Sequence, residues 1–594
     1  MNHYQISSRD PASHYFNVSL TIPKPDSSGQ RIRLPNWIPG SYMIRDFSRH
    51  IVSLDANAGG KTITITQLDK SNWQIEATDQ AITVEYLVYA NDLSVRGAHL
   101  DNLHGYFNGC SVFLEVVDQA ESSCMVQIDQ PSANYCKEWK LATAMTRRSG
   151  VEFGFGQFEA ENYDELIDHP VEMGRFKQIR FEACGVPHDM ILTGRFELDE
   201  ERLAHDLKII CEHHIRFFGE PAPMPYYQFQ TLVVGNGYGG LEHRASTSLI
   251  CARDSLPQKG QAKISDGYRD FLGLCSHEYF HTWNVKRIKP AVYQTAGLQN
   301  EVYTGLLWAF EGITSYYDDL ALLRCGLIDE TTYLELLAQT LTRVSRGKGS
   351  RRQSAYESSF NAWTKFYKQD ENSPNAIVSY YAKGALIALC IDLKMRAVSD
   401  SAVSLDDVMR ELWKRWKSTQ KGVDDDDIQS IILELTNDTW RTELDDWIQA
   451  ANELPVSKLL DFIGVDCHFR SSFNQKDLGG KLIEDESPLV SFGAHVEEAD
   501  GMLNIIKVEE DGAAQLSGLS AGDSIIAING LKVSLIRFEE ALGLAQPDDC
   551  WKVHAFRRDE LYDFEVSLQV AKQTTVFFQS REGDFPARNS WAGQ

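Results

Sequence analysis

The stretch that most constrains this chain is His277-Glu278-Tyr279-Phe280-His281, because its residues can act together only on a helix. At 3.6 residues per turn, imidazoles at i and i+4 stand one above the other on one face, where both can reach a single metal ion. The pattern is H-E-x-x-H, in which two His bind zinc and the Glu serves as general base in a peptidase. The preceding residues support the helix: Tyr268, Phe271, Leu272 and Cys275 recur at amphipathic spacing. Glu278 points off the His face toward a water activated by the ion, which would lower that water's pKa from 15.7 to about 7.

With 594 residues the chain exceeds a single core, and a multidomain α+β protein is expected. A formal net charge of −26 argues against a nucleic-acid partner, since binding phosphates needs a basic surface. The first ten residues lack the basic start and apolar stretch of a secretory signal, and no membrane-spanning run is expected. The 11 Cys are scattered singly, with no C-x-x-C pair, which fits free thiols in a reducing compartment. A cytoplasmic location is therefore expected.

Period-two alternation in short segments, such as 15–22 and 81–89, predicts an antiparallel β-domain over residues 1–160. Within it, Leu34-Pro35-Asn36-Trp37-Ile38-Pro39-Gly40-Ser41-Tyr42 reads as a rigid loop under an aromatic lid. Residues 227–234 read as a strand that turns at Gly235–Gly240 into a second strand over 241–249, a hairpin before the metal helix. From Lys263 to about Leu460 the pattern is mostly helical, and residues 161–470 are assigned to one catalytic domain. Strands return between residues 478 and 575, and 576–594 form a C-terminal tail.

A catalytic zinc takes three protein ligands and keeps one open position, so a third ligand must come from downstream. Glu301 and Glu311 compete. Glu301 would lie near the start of a helix over 302–320, where the helix dipole alone accounts for an acid. Glu311 is flanked by Trp308, Phe310, Ile313 and Tyr317, where an ionised carboxylate is costly without a cation, and it is the choice. The oxyanion formed by attack on an amide wants a second electrophile. Tyr381, at the head of an apolar helix, could supply it or be a core tyrosine with a satisfied hydroxyl.

The run His277 to Pro290, the segment Trp308-x-x-Glu311-Gly312-x-Thr314-x-Tyr316-Tyr317, the early Trp37-Ile38-Pro39-Gly40-Ser41-Tyr42 and a terminal stretch resembling a PDZ domain together resemble the glycyl aminopeptidase family. That family is related to the aminopeptidase N group, with thermolysin-like, mostly helical catalytic domains. The PDZ-like stretch is Gly518 to Gly530, with Ser491-Phe492-Gly493-Ala494 as its carboxylate-binding loop. The resemblance implies His277, His281 and Glu311 as ligands of one Zn2+ per chain, and Glu278 as base. Tyr381-Ala382-Lys383-Gly384 is similar to the Tyr-x-Lys-Gly pattern whose tyrosine stabilises the tetrahedral intermediate. Gly239-Gly240-Leu241-Glu242-His243 resembles the Gly-x-Met-Glu-Asn exopeptidase motif; by that likeness Glu242 binds the substrate's α-ammonium and the Gly239–Gly240 backbone aligns the peptide. Leu241 and His243 depart from the motif, and the gap from His281 to Glu311 is longer than usual, which implies an inserted loop over 284–300. Its Lys286, Arg287 and Lys289 either meet a substrate carboxylate or are solvated surface charges.

The expected function is that of a zinc aminopeptidase removing N-terminal residues, small ones such as Gly or Ala, from peptide substrates. Two competitors are a zinc endopeptidase whose PDZ-like domain delivers C-terminal peptides, and a metal-free PDZ scaffold.

Overall fold

The computed structural model describes residues 1–8, 10–483 and 487–593. The chain forms two compact units, one of residues 1–302 with 413–422 and the other of 303–412 with 423–594.

The first unit begins with an eight-stranded sheet in which Tyr15–Ile22 lies between Asn2–Ser7 and Ile82–Tyr89, both antiparallel to it. Alternate side chains along Tyr15–Ile22 are buried, as period-two patterning requires. One neighbour departs from the antiparallel expectation: Asn2–Ser7 runs parallel to Cys124–Ile128. A second sheet of five strands carries the functional edge. Its order is Phe176–Ala183, Val186–Gly194, Tyr227–Val234, Ser246–Ala252 and, outermost, Tyr238–Glu242.

The expected hairpin is therefore rearranged. Tyr227–Val234 pairs in parallel with Ser246–Ala252, and the antiparallel hairpin is made by Tyr238–Glu242 with Ser246–Ala252. The strand expected over 241–249 is broken at His243–Ala245, where His243 and Arg244 turn toward Asp168. The outcome leaves Glu242 at the end of an edge strand, whose Gly240 carbonyl accepts from Arg96 at 3.3 Å.

Beside this sheet lies the helix Asp266–Phe280, begun by Ser265, whose side chain accepts from the Tyr268 amide. Its apolar face buries Tyr268, Phe271, Leu272, Cys275, Tyr279 and Phe280. Polar anchors fix its rotation: Ser276 Oγ is 2.9 Å from His214 Nε2, and Tyr268 donates to Asp206 at 2.9 Å, both on the helix Glu200–Phe218. On the HExxH face His277 keeps partial exposure while Glu278 and His281 are buried.

The second unit is organised around the helix Tyr380–Val398, buried on nearly every side. Among the described residues the stretch 373–398 alone has the length and hydropathy of a membrane span, yet 78% of its apolar window is buried inside the protein. A β-domain with its own core follows, containing Phe492, Leu503, Ile525, Phe538 and Trp551. Its main sheet runs in the order Ala494–Ala499, Met502–Val508, Ser524–Ile528, Cys550–Arg557 and Glu560–Ser567.

The last residues, expected as a tail, fold back. Thr575–Ser580 pairs with Val465–Arg470, and the helix Pro586–Ala592 buries Trp591 completely. The Trp591 indole donates to the Tyr316 hydroxyl at 2.8 Å. Burying an indole with its N–H satisfied combines a large apolar gain with no polar penalty.

Candidate active site

In the first unit the HExxH helix ends at Phe280, and His281 is its C-cap in helical geometry. The i to i+4 bond from the His281 amide to the His277 carbonyl survives at 3.2 Å, so both rings project from one face. Their Nε2 atoms are 3.1 Å apart. A tetrahedral zinc with Zn–N bonds of about 2.0–2.1 Å would hold two nitrogens roughly 3.3 Å apart. His281 Nδ1 lies 2.8 Å from the Asn284 carbonyl, which can only accept. The proton is thus fixed on Nδ1 and the Nε2 lone pair is left for a cation. On donor chemistry and spacing, the pair fits zinc.

Two carboxylates converge on the same point. One ligand-type atom each from Glu242, Glu278 and His281 lies within 4.8 Å of the others. Glu242 is only 4% exposed. Both carboxylates rest on glycine: a Cβ at Gly240 would collide with the Glu278 carboxylate, and one at Gly40 would stand 2.5 Å from both Glu242 oxygens. Gly40 also has φ +94°, a left-handed conformation that only glycine adopts without strain.

Gly40 brings in a feature that sequence reasoning read only as a rigid loop. The segment 37–42 buries Trp37 and Tyr42, and Tyr42 stacks on Tyr293 with ring centroids 5.9 Å apart. Asn36 ties the loop to the expected insertion, its amide donating to Leu298 O at 2.8 Å and its side chain to Gln299 O at 2.8 Å. The insertion therefore packs against the loop whose Gly40 abuts Glu242. The sequence signal was present in two prolines, Pro35 and Pro39, ahead of a glycine that takes positive φ, but its target was not.

Lys286 and Arg287 match neither reading made for them. Lys286 is 7% exposed, and its ammonium is 2.6 Å from Asp168. Arg287 donates to the carbonyls of Arg244, Thr282 and Pro223. Burial pushes Lys289 down to about 8. Burial also pushes Asp168 up, but the charges of Lys286 and Arg244 with the His243 hydrogen bond overcome it and hold the carboxyl well below the usual range. His243, kept neutral by burial at about 4, spans Asp168 at 3.3 Å and Asn108 at 3.4 Å. The His that departs from the exopeptidase motif thus faces inward and locks the turn after Glu242.

Glu311 and Tyr381 lie in the second unit. The helix expected over 302–320 starts later: Trp308–Gly312 is a π-helical turn, followed by the α-helix Ile313–Arg324. Such turns project one side chain out of register and recur at functional sites. Glu311 is on that turn and 2% exposed, whereas Glu301 precedes it, partly exposed, in the first unit. The turn approaches the helix Tyr380–Val398 glycine to glycine: a Cβ at Gly384 would sit 2.5 Å from Trp308 O, and one at Gly312 2.5 Å from Gly384 Cα. Hence the Gly of Tyr381-Ala382-Lys383-Gly384 is a packing requirement that draws Glu311 and the tyrosines together. Burial raises the Tyr380 hydroxyl, with the Tyr367, Tyr381 and Glu311 charges adding to it. Lys383 is buried too, donating to Ser350 O at 3.1 Å, and burial lowers it to about 8.

Comparison with known proteins bears on this arrangement. Residues 3–175 match the peptidase M61 N-terminal domain, 270–387 the M61 glycyl aminopeptidase domain and 483–546 a PDZ domain. The crystal structure of an aminopeptidase N family protein from Idiomarina loihiensis is 42% identical over 100% of both chains, with a TM-score of 0.96. An M1 zinc metallopeptidase from Deinococcus radiodurans is 14% identical, with 77% of this chain and 94% of that one covered and a TM-score of 0.47. Yeast LTA4 hydrolase in complex with bestatin is likewise 14% identical, at 76% and 68% coverage and a TM-score of 0.46. No curated protein matches the chain. With a full-length relative at this identity and three matching domain models in order, the chain belongs to the M61 glycyl aminopeptidase family and is a zinc-dependent aminopeptidase.

Proposed function

We propose that the enzyme removes small N-terminal residues such as Gly or Ala from peptides, with one zinc held by His277, His281 and Glu311. The observation that carries this reading is the convergence of Glu242, Glu278 and His281 within 4.8 Å. A carboxylate beyond the one needed for proton transfer, held beside a metal-binding imidazole and almost dehydrated, is a receptor for a cation. On a peptide that cation is the α-ammonium, and a charge-assisted pair in a dry site is strong enough to select for it.

Bound zinc supplies Lewis acidity, polarising the scissile carbonyl and making water nucleophilic at neutral pH. Glu242 holds the α-ammonium and so sets the first peptide bond, and no later one, over Glu278. The peptide backbone lies along the edge strand Tyr238–Glu242. Glu278 takes a proton from the attacking water and returns it to the departing amine. The Tyr381 hydroxyl donates to the oxyanion as it forms. The family resemblance to glycyl aminopeptidases supports the preference for small residues. Anilides of Gly and Ala should be hydrolysed at least about tenfold better in kcat/KM than those of Leu and Phe, by a protein holding about one zinc per chain. A reversed order would remove the small-residue preference.

A further inference from the structure

A four-stranded sheet in the first unit carries a cluster that the peptidase chemistry does not use. Its order is Lys140–Ala142, Val171–Gly174, His104–Phe107 and Ala98–Leu100. In the hairpin of the last two strands Tyr106 opposes His99 and Gly105 opposes Leu100, and the Asp101 amide continues the register by donating to the His104 carbonyl at 3.0 Å. Opposed residues share a face of a sheet, and so do alternate residues along a strand. His99, Asp101, His104 and Tyr106 therefore stand on one face, joined by Glu172, which opposes Tyr106 on the next strand. We propose that His99, Asp101 and His104 form a second metal site, which takes a divalent cation of the zinc type and staples this hairpin.

One ligand-type atom from each of the three lies within 4.8 Å of the others. His99 Nε2 is 3.2 Å from Asp101 Oδ2, and His104 Nδ1 is 3.8 Å from Asp101 Oδ1. A tetrahedral zinc, with bonds of about 2.0–2.2 Å to nitrogen and oxygen, would hold such atoms roughly 3.4 Å apart, between those two separations. The carboxylate is oriented by the backbone: Oδ1 accepts from the amides of Leu103 at 2.6 Å and His104 at 3.0 Å, which leaves Oδ2 to face His99. His99 and His104 are each 6% exposed, so neither ring is solvated instead. Two imidazoles with one carboxylate suit zinc, nickel or cobalt, whereas magnesium and calcium take oxygen ligands.

A cavity marks the same place. It measures about 20 Å³ and is lined by His99, His104, Tyr106, Glu172 and Gln230, with no Lys or Arg among its described lining. Two buried polar atoms of that lining, His99 Nδ1 and Gln230 Oε1, have no hydrogen-bond partner. Orphaned polar atoms in the interior are costly and call for an occupant. The volume admits one water, enough for a fourth ligand, and no substrate, so an ion here is structural and takes no part in turnover.

The rings also set the order of filling. His99 and His104 stack with centroids 4.9 Å apart and planes inclined by 27°. Nearly parallel imidazoles direct their lone pairs side by side, so one ring must turn before both can meet one ion. That adjustment weakens the site relative to the catalytic centre. The single zinc of the isolated protein thus belongs to the catalytic centre, and the hairpin takes the next one supplied.

The test is calorimetric titration of Zn2+ into wild-type protein that already carries one zinc per chain. A further equivalent should bind with a Kd of about 10 µM or tighter, and Mg2+ at least about tenfold more weakly. His99→Gln and, separately, His104→Gln should each weaken that equivalent by at least about tenfold, while continued hydrolysis of glycyl anilide shows that the variants fold. Anomalous scattering at the zinc edge from wild-type crystals soaked in Zn2+ needs no variant, and a peak between His99 and His104 is expected. No second equivalent in that range, binding that both substitutions leave intact, Mg2+ binding as tightly as Zn2+, or crystals that show only water at this place would each overturn the proposal.

Discussion

Gly40→Ala tests whether the N-terminal loop sets the position of Glu242. The added Cβ would stand 2.5 Å from both carboxylate oxygens, about an ångström inside ordinary contact, at a residue with φ +94°. Adopting that backbone conformation costs a non-glycine residue roughly 1–2 kcal/mol, so the melting temperature should fall by only a few degrees. The larger effect is on catalysis. Relief of the clash must move the Glu242 carboxylate by about 1 Å, a displacement that costs on the order of 10²-fold when it misplaces a substrate. Glu242→Ala removes one partner of a buried charge pair, which costs about 2–5 kcal/mol, or roughly 30- to 5,000-fold in kcat/KM. Because both changes act through the same ammonium contact, they should not add: the double variant should match Glu242→Ala within about threefold. The assay is kcat/KM on Ala-Ala-Ala with zinc content measured in parallel. Strictly additive losses, or full activity in Gly40→Ala, would refute the reasoning.

Three further outcomes follow from the geometry. Glu278→Gln should retain zinc and lose at least about 10²-fold in kcat, and full activity would assign the base elsewhere. Glu311→Ala should lose the metal while Glu301→Ala keeps it, measured by elemental analysis after dialysis; the opposite pattern would transfer the ligand role. Burial raises the Glu172 carboxyl to about 8, its Thr193 hydrogen bond opposing and the Asp101 charge adding to the rise. The folded state then holds this proton more tightly than the unfolded chain, so its contribution is complete below about pH 4.5 and is lost as pH rises through 8. Glu172→Gln should flatten a fall in stability of roughly 3–5 kcal/mol between pH 5 and 8, seen as shifted urea midpoints; an unchanged pH profile would contradict the assignment.

What could be read in the sequence was local. The HExxH helix and its apolar face depend on spacing, which a linear sequence displays. Lys286 and Arg287 were misread because their partners, Asp168 and the Pro223 carbonyl, lie far away in the chain and no spacing rule connects them. The strand broken after Glu242 has the same cause, since strand propensity at His243–Ala245 gave way to the Asp168 network. The Gly40 loop and the π-helical turn at Glu311 were hidden for a related reason: each answers to a close approach by a segment folded elsewhere, Glu242 in one case and Gly384 in the other. The returning helix at Trp591 escaped because a single seven-residue stretch shows too little periodicity to be distinguished from a tail.

The most direct measurement compares kcat/KM for one peptide with its N-terminus free and acetylated. If Glu242 receives the α-ammonium, the free peptide should be preferred by roughly 30-fold or more, and Glu242→Ala should erase most of that preference while zinc stays bound. Equal values for the two peptides in the wild type would contradict the account and make the enzyme an endopeptidase.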